Sequence, residues 1–194
     1  MKKIIVLRIL FGLLCCMMLL CSCGDPKVPG SDNSENTGGI LRVYNVSSDK
    51  TGFDCFIEIC SNGKPETEPS KDETMKVTLA WSNAGEGGGK LPNLTIVSYE
   101  VSYSSDDPGA VPLHSISVAA ESLFMLPNST LSISSALMMK ASTKLEYSIN
   151  GGDPFLQPVY EVHVIFHGIT EFGYEVTGEG STSIILADYD TCTG

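Results

Sequence analysis

From Ile40 onward the apolar residues of this chain recur at every second position, and that period limits what it can fold into more than any other feature. Val97, Tyr99, Val101 and Tyr103 alternate with Ser98, Glu100 and Ser102, and Tyr160, Val162, Val164 and Phe166 with Glu161, His163 and Ile165. Val77, Leu79 and Trp81 alternate with Thr78, Ala80 and Ser82, and Leu145, Tyr147 and Ile149 with Glu146 and Ser148. A strand turns successive side chains to opposite faces, so each stretch has one apolar and one polar side. Antiparallel strands that cover a core from one side have this pattern. Turn residues punctuate it at Ser61-Asn62-Gly63, Gly85 to Gly89, Asp106-Asp107-Pro108-Gly109, Pro127-Asn128, Asn150 to Pro154 and Gly178-Glu179-Gly180. Such spacing predicts an all-β sandwich or barrel. The predicted strands are 40–46, 53–60, 75–83, 94–104, 113–119, 130–134, 142–149, 158–167, 172–177 and 181–188. The helix-like window Ala136–Ala141 is too short to change the class.

The start of the chain is of another kind. Met1-Lys2-Lys3 is basic, and Ile4 to Leu20 is apolar apart from Arg8, the layout of a secretory signal. The unbroken apolar run Ile9–Leu20 has 12 residues, short of the roughly 20 that span a bilayer. No basic stop-transfer flank follows it. Leu20-Cys21-Ser22-Cys23 resembles a bacterial lipobox, with an aliphatic residue three before the modified cysteine and small residues between. Cys23 fits and Cys21 does not, because Met18-Leu19-Leu20 would precede Cys21 with no small residue at the cleavage point. Residues 1–22 are then a lipoprotein signal peptide, and Cys23 is the lipidation site and the membrane partner of the chain. The alternative is cleavage near Cys23 without lipid. Gly24, where such lipoproteins carry Asp if retained at the inner membrane, implies the outer membrane, facing the periplasm or the cell surface.

Cleavage there leaves 172 residues, one domain of ordinary size. The leader takes three of the twelve Lys and Arg, leaving nine against 23 acids, a formal −14. That charge repels a phosphate backbone, so no nucleic-acid partner is expected. Residues 23–39 read as a flexible tether: 24–39 contain one branched aliphatic residue, Val28, and no aromatic. Residues 40–194 form the β domain.

"MKVTLAWSN", "LTIVSYEVSY" and "YEVHVIFHGITEFGYEV" resemble strands B, C and F–G of a fibronectin type III or related immunoglobulin-like domain. Trp81 stands late in the first, Tyr99 and Val101 in the second, and Tyr160, Val162, Val164 and Gly173 in the third. The likeness covers about 75–188. It implies an immunoglobulin-like antiparallel β-sandwich, to which the strands at 40–60 are N-terminal additions. The stretch 104–150 is longer than the family's usual middle.

Few residues suggest chemistry. Cys55, Cys60 and Cys192 remain in an oxidising compartment. In "FDCFIEIC" a continuous strand puts Cys55 on the apolar face with Phe53, Ile57 and Ile59, and Cys60 on the polar face. Five steps of about 3.3 Å then separate the two cysteines, too far for a disulfide. A Cys60–Cys192 bridge is therefore expected; three free thiols, or Cys55 as the partner, are the alternatives. His163 and His167, four apart in a strand, stand about 13 Å apart, too far to share a metal. "GEGGGK" lacks the first glycine of a phosphate loop and has Leu91 where Ser or Thr must follow Lys90. Asp106-Asp107 and Asp188-x-Asp190 fit no EF-hand spacing. Trp81, Tyr99, Tyr103, Tyr147 and Tyr160 lie on apolar faces, which makes them core rather than a sugar platform. No catalytic, metal or cofactor residue is assigned. The expected role is a non-enzymatic envelope lipoprotein that offers an edge strand, or loops 84–92 and 104–112, to a protein or polysaccharide partner. The alternative is a metal-dependent or hydrolytic enzyme whose site forms no motif.

Overall fold

The computed structural model describes residues 38–60, 63–65, 67–84 and 90–189. The expected signal peptide, Cys23, most of the tether, Gly85 to Gly89 and Cys192 lie outside them. The fold is all-β: the described residues form eight strands in two sheets and one short helix. β1 (Gly39–Ser48), β3 (Glu73–Asn83) and β6 (Ser129–Met139) form a three-stranded sheet in the order β1-β3-β6. β2 (Gly52–Asp54), β4 (Leu94–Ser104), β5 (Ile116–Met125), β7 (Val159–Thr170) and β8 (Glu175–Ala187) form the other, ordered β2-β8-β7-β4-β5. The helix, α1 (Ala141–Ile149), lies between β6 and β7. That helix is not long and apolar enough to cross a membrane.

The alternating residues meet as their period requires. Leu41, Leu79, Trp81, Ile96, Val101, Val164 and Phe166 are buried in one core. The rings of Tyr99 and Phe166 lie 5.1 Å apart. Trp81 Nε1 donates to the Pro92 carbonyl at 2.7 Å, so the buried indole keeps a partner.

Five expectations are corrected. The stretch 142–149 is a helix: Thr143, Lys144 and Tyr147 are its buried residues, and Ile149 faces solvent. Helical spacing outweighs an alternation only three repeats long. The window Ala136–Ala141, in contrast, belongs to β6 as far as Met139. The strand at 53–60 stops at Asp54, which is buried and accepts the Phe56 N–H on Oδ1 at 3.1 Å. That side-chain turn breaks the alternation, so Ile57 and Ile59 point outward while Phe53 and Cys55 stay inside. β2 also runs parallel to β8, as Phe53 opposite Leu186 shows, so pairing is not antiparallel throughout. Finally, Gly178-Glu179-Gly180 is no turn, and 172–177 and 181–188 join into the single β8. A Cβ on Gly178 would come within 2.6 Å of the Leu41 carbonyl oxygen, and one on Gly180 within 2.8 Å of Val43. These glycines admit β1 across the face of β8.

All four edge strands are irregular. β1 carries one extra residue between Tyr44 and Ser47, with Asn45 at φ 52°. β5 has two extra between Ala119 and Leu123 relative to β4. β6 is shifted twice against β3, and β2 is only 3 residues long. Bulges and brevity interrupt the row of free N–H and C=O groups that an added strand would need.

Candidate docking surface

The molecule has two ends, which the strand pairing defines. Gly39 opposite Asn83, Leu94 opposite Met125 and Thr170, and Trp81 opposite Ser129 share one end. Glu73 opposite Met139 and Val159 opposite Ile185 share the other, which also holds α1 and the segment that follows β2. A groove of about 500 Å³ opens at this second end. Ile57, Leu145, Ile149 and Pro154 give it apolar surface, and Glu58 and Asp188 give it two carboxylates.

Each wall has a local cause. Ile57 is 48 % exposed because the Asp54 turn ends β2 before it. Ile149 is 77 % exposed on the last turn of α1. Beyond it Gly151 takes φ 87°, and Gly152 N donates to the Tyr147 carbonyl at 2.8 Å, a glycine-based helix stop. Gly152 also lies against the Tyr147 ring, where a Cβ would come within 2.5 Å of it. Asp153 Oδ1 then accepts the Phe155 N–H at 2.9 Å, and Phe155, beside Pro154, is left 92 % exposed.

Polar contacts fix α1 beside the groove, and their centre, Lys144, is buried. Lys144 is fully buried; its Nζ donates to Glu73 Oε1 at 2.6 Å and to the Glu68 carbonyl at 2.8 Å. Glu68 is gripped in turn by Lys50 and by Lys71, the latter at 3.1 Å. Hydrogen bonds from these two lysines hold the Glu68 carboxyl down at about 2. Asp72 Oδ1 accepts the Ala141 N–H at 2.9 Å at the start of α1. Phe56 meets Tyr147 edge-on with ring centroids 5.9 Å apart. The helix is thereby fixed to the β2–β3 connection.

The residues singled out from the sequence fall elsewhere. Cys55 is a buried free thiol, pushed up to about 12 chiefly by burial. Cys60 is disulfide-bonded, and its partner lies outside the described residues. The two are thus not joined to each other, although 55–60 is no continuous strand. Tyr103, Tyr147 and Tyr160 donate their hydroxyls to the carbonyls of Met138, Asp153 and Val111 at 2.6, 3.0 and 2.9 Å. Trp81, Tyr99, Tyr147 and Tyr160 are buried in the core. His163 and His167 lie on the outer face of the five-stranded sheet, each beside a carboxylate: Glu161 at 3.3 Å and Glu100 at 3.8 Å. His114 pairs with Glu146 at 3.0 Å. Loop 104–112 is tied down: Asp107 Oδ2 accepts the Val159 N–H at 2.7 Å and Ser105 Oγ donates to the Val159 carbonyl at 2.6 Å. Among the described residues no group of three or more His, Cys, Asp or Glu is placed to hold a metal ion.

No family model matches the chain, and no curated protein matches it. It is similar to the X-ray structure of the Northeast Structural Genomics Consortium target SoR45, at 10 % identity over 80 % of this chain and 90 % of that one, with a TM-score of 0.38. It is also similar to the crystal structure of a Bordetella pertussis protein provisionally assigned as ApaA, at 12 % identity over 84 % and 99 % of the two chains, with a TM-score of 0.35. At those scores neither likeness carries an argument.

Proposed function

We propose that this chain is a lipid-anchored lipoprotein of a bacterial outer membrane, a non-catalytic module that holds out its grooved end to a protein partner. One observation carries the reading: the chain comes into the sandwich at Gly38 and Gly39, the end opposite the groove. A tether running from Cys23 to Gly38 would leave the groove on the side away from the lipid. Aliphatic walls of Ile57, Leu145, Ile149 and Pro154 suit an apolar side chain of a protein better than a polysaccharide, which asks for many polar donors. The interrupted edges favour the groove over strand addition.

The immunoglobulin or fibronectin type III identity belongs to the same proposal. Its support is the strand order: β3 stands where strand B would, apart from β4, β7 and β8, which lie side by side as C, F and G would. On this reading β1 and β2 are edge strands of the sandwich itself rather than additions to it. The Cys60–Cys192 bridge is proposed with it; peptide mapping without reductant that links Cys60 to another cysteine removes it.

The test is in cells. Labelled palmitate should attach to the wild-type chain and not to Cys23→Ser. A photoreactive side chain at Ile149 should trap a protein that the same group at Ser102, on the outer sheet face, does not. Equal trapping at both positions, or none at Ile149, overturns the docking reading.

A further inference from the structure

The end where the chain comes in has an apolar surface of its own. Phe172 is 69 % exposed, Leu126 57 % and Phe124 56 %, and Ile169 and Tyr174 are also exposed. All five lie at this end. Thr95 pairs with Phe124 on one side and with Ile169 on the other, so at about 4.8 Å between strands those two side chains flank it about 10 Å apart. Phe172 and Tyr174 sit on the β7–β8 turn, which is rigidly held. Thr170 N donates to the Tyr174 carbonyl at 2.9 Å, and Gly173 takes φ 84°. Asn93 Nδ2 donates to Glu171 Oε2 at 3.0 Å, and Glu171 N returns a bond to the Asn93 carbonyl at 3.1 Å. The sheet does not need this surface for its core, which lies on its other face.

Where the remaining chain begins says what covers it. Ala84 N bonds the Gly38 carbonyl at 3.0 Å at this same end. On the proposed cleavage, the chain before Gly38 is Cys23 and residues 24–37. If residues 24–37 form the tether read from the sequence, a flexible chain of that length would span about 20 Å, short enough to keep this end at a lipid surface. Among the described residues the charges nearby are Glu171, Glu175 and Lys90, which give no cationic patch for anionic lipid. Aromatic and branched side chains on a rigid turn suit the boundary between headgroups and acyl chains.

We infer that this end of the sandwich lies against the bilayer that holds the anchor, with Phe172 and Leu126 at the headgroup boundary. The inference rests on acylation at Cys23. It assigns Phe124, Leu126, Ile169, Phe172 and Tyr174 a task that the groove does not share.

The acylated mature chain, reconstituted in phosphatidylcholine vesicles with and without brominated acyl chains, tests it. Two variants carry a reporter: Phe172→Trp at this end and Phe155→Trp at the other, each read as the excess over the buried Trp81. Bromine should quench the Phe172→Trp excess by about twofold or more and leave that of Phe155→Trp unchanged. Vesicle flotation of both variants, with Phe172→Trp quenched no more than Phe155→Trp, overturns the inference and leaves the anchor standing. A chain that does not float with the vesicles overturns both.

Discussion

Lys144 is the residue on which most of the polar support converges. It is buried at 0 % exposure, and its two acceptors, Glu73 and the Glu68 carbonyl, come from the β2–β3 side of the molecule. Truncating one partner of such a pair leaves the other charge buried and alone. Lys144→Ala should therefore cost about 3–5 kcal/mol of unfolding free energy in urea. Lys144→Met combined with Glu73→Leu should cost less than the single change; a double variant weaker than the single one removes this account. Glu68 makes a pH-dependent contribution. Its folded carboxyl is held to about 2 against an ordinary 4.5. A depressed acid stabilises above its unfolded value, so this contribution is present above pH 4.5 and is lost as pH falls towards 2. The side chains of Lys50 and Lys71 are more than half exposed, so water screens the cluster and about 1 kcal/mol is expected from it. The difference in melting temperature between wild type and Glu68→Gln should shrink over that interval. A difference that holds constant from pH 5 to 2 counts against it.

At the scale of elements, alternation was decisive where it ran long. β4 is 94–104 in both sequence and structure, because Tyr99, Val101 and Tyr103 keep their period to its end, although an irregularity between Ile96 and Ser98 moves the buried phase from Leu94 and Ile96 to Tyr99 and Val101. It failed where a side chain or a glycine overrode the backbone. Asp54 ended β2 by capturing Phe56 N–H, and its carboxylate, two residues before that donor, was the available signal. Asn150-Gly151 read as a hairpin turn, although Asn and Gly after a short apolar stretch also stop a helix. Those two failures hid the groove, since Ile57 and Ile149 were both expected on buried faces. Its other contributors, Pro154 and Asp188, come from distant segments that only the fold brings together. β8 went wrong for the opposite reason: its glycines serve a crossing strand and not a turn. Gly178→Ala tests that reason. The new Cβ would meet the Leu41 carbonyl, which belongs to backbone and cannot rotate away. A loss of about 1–3 kcal/mol is expected, from overpacking alone. Gly151→Ala, where nothing lies within 4 Å of the new Cβ, should lose only the cost of its positive φ. If Gly178→Ala unfolds at the wild-type urea midpoint, β1 does not depend on that close crossing.

For the whole molecule, charge and orientation follow from one another. On the proposed cleavage after residue 22, nine bases face 23 acids, a balance that makes the chain repel itself and any anionic surface. On the proposed reading, lipid at Cys23 and an apolar end would hold it to a bilayer without cations. The described ion pairs are mostly exposed, apart from Lys144–Glu73. Salt therefore acts mainly on the long-range repulsion, because the screening length falls from about 10 Å at 0.1 M to about 3 Å at 1 M. Raising sodium chloride from 0.05 to 0.5 M at pH 7 should lift the melting temperature by a few degrees, equivalent to about 1 kcal/mol. The buried Lys144–Glu73 pair is out of reach of the ions, so Lys144→Ala should show the same salt increment as wild type from a lower start. A melting temperature that falls with salt would mean that surface pairs outweigh the excess of acid, and the charge would then be part of what holds the fold together.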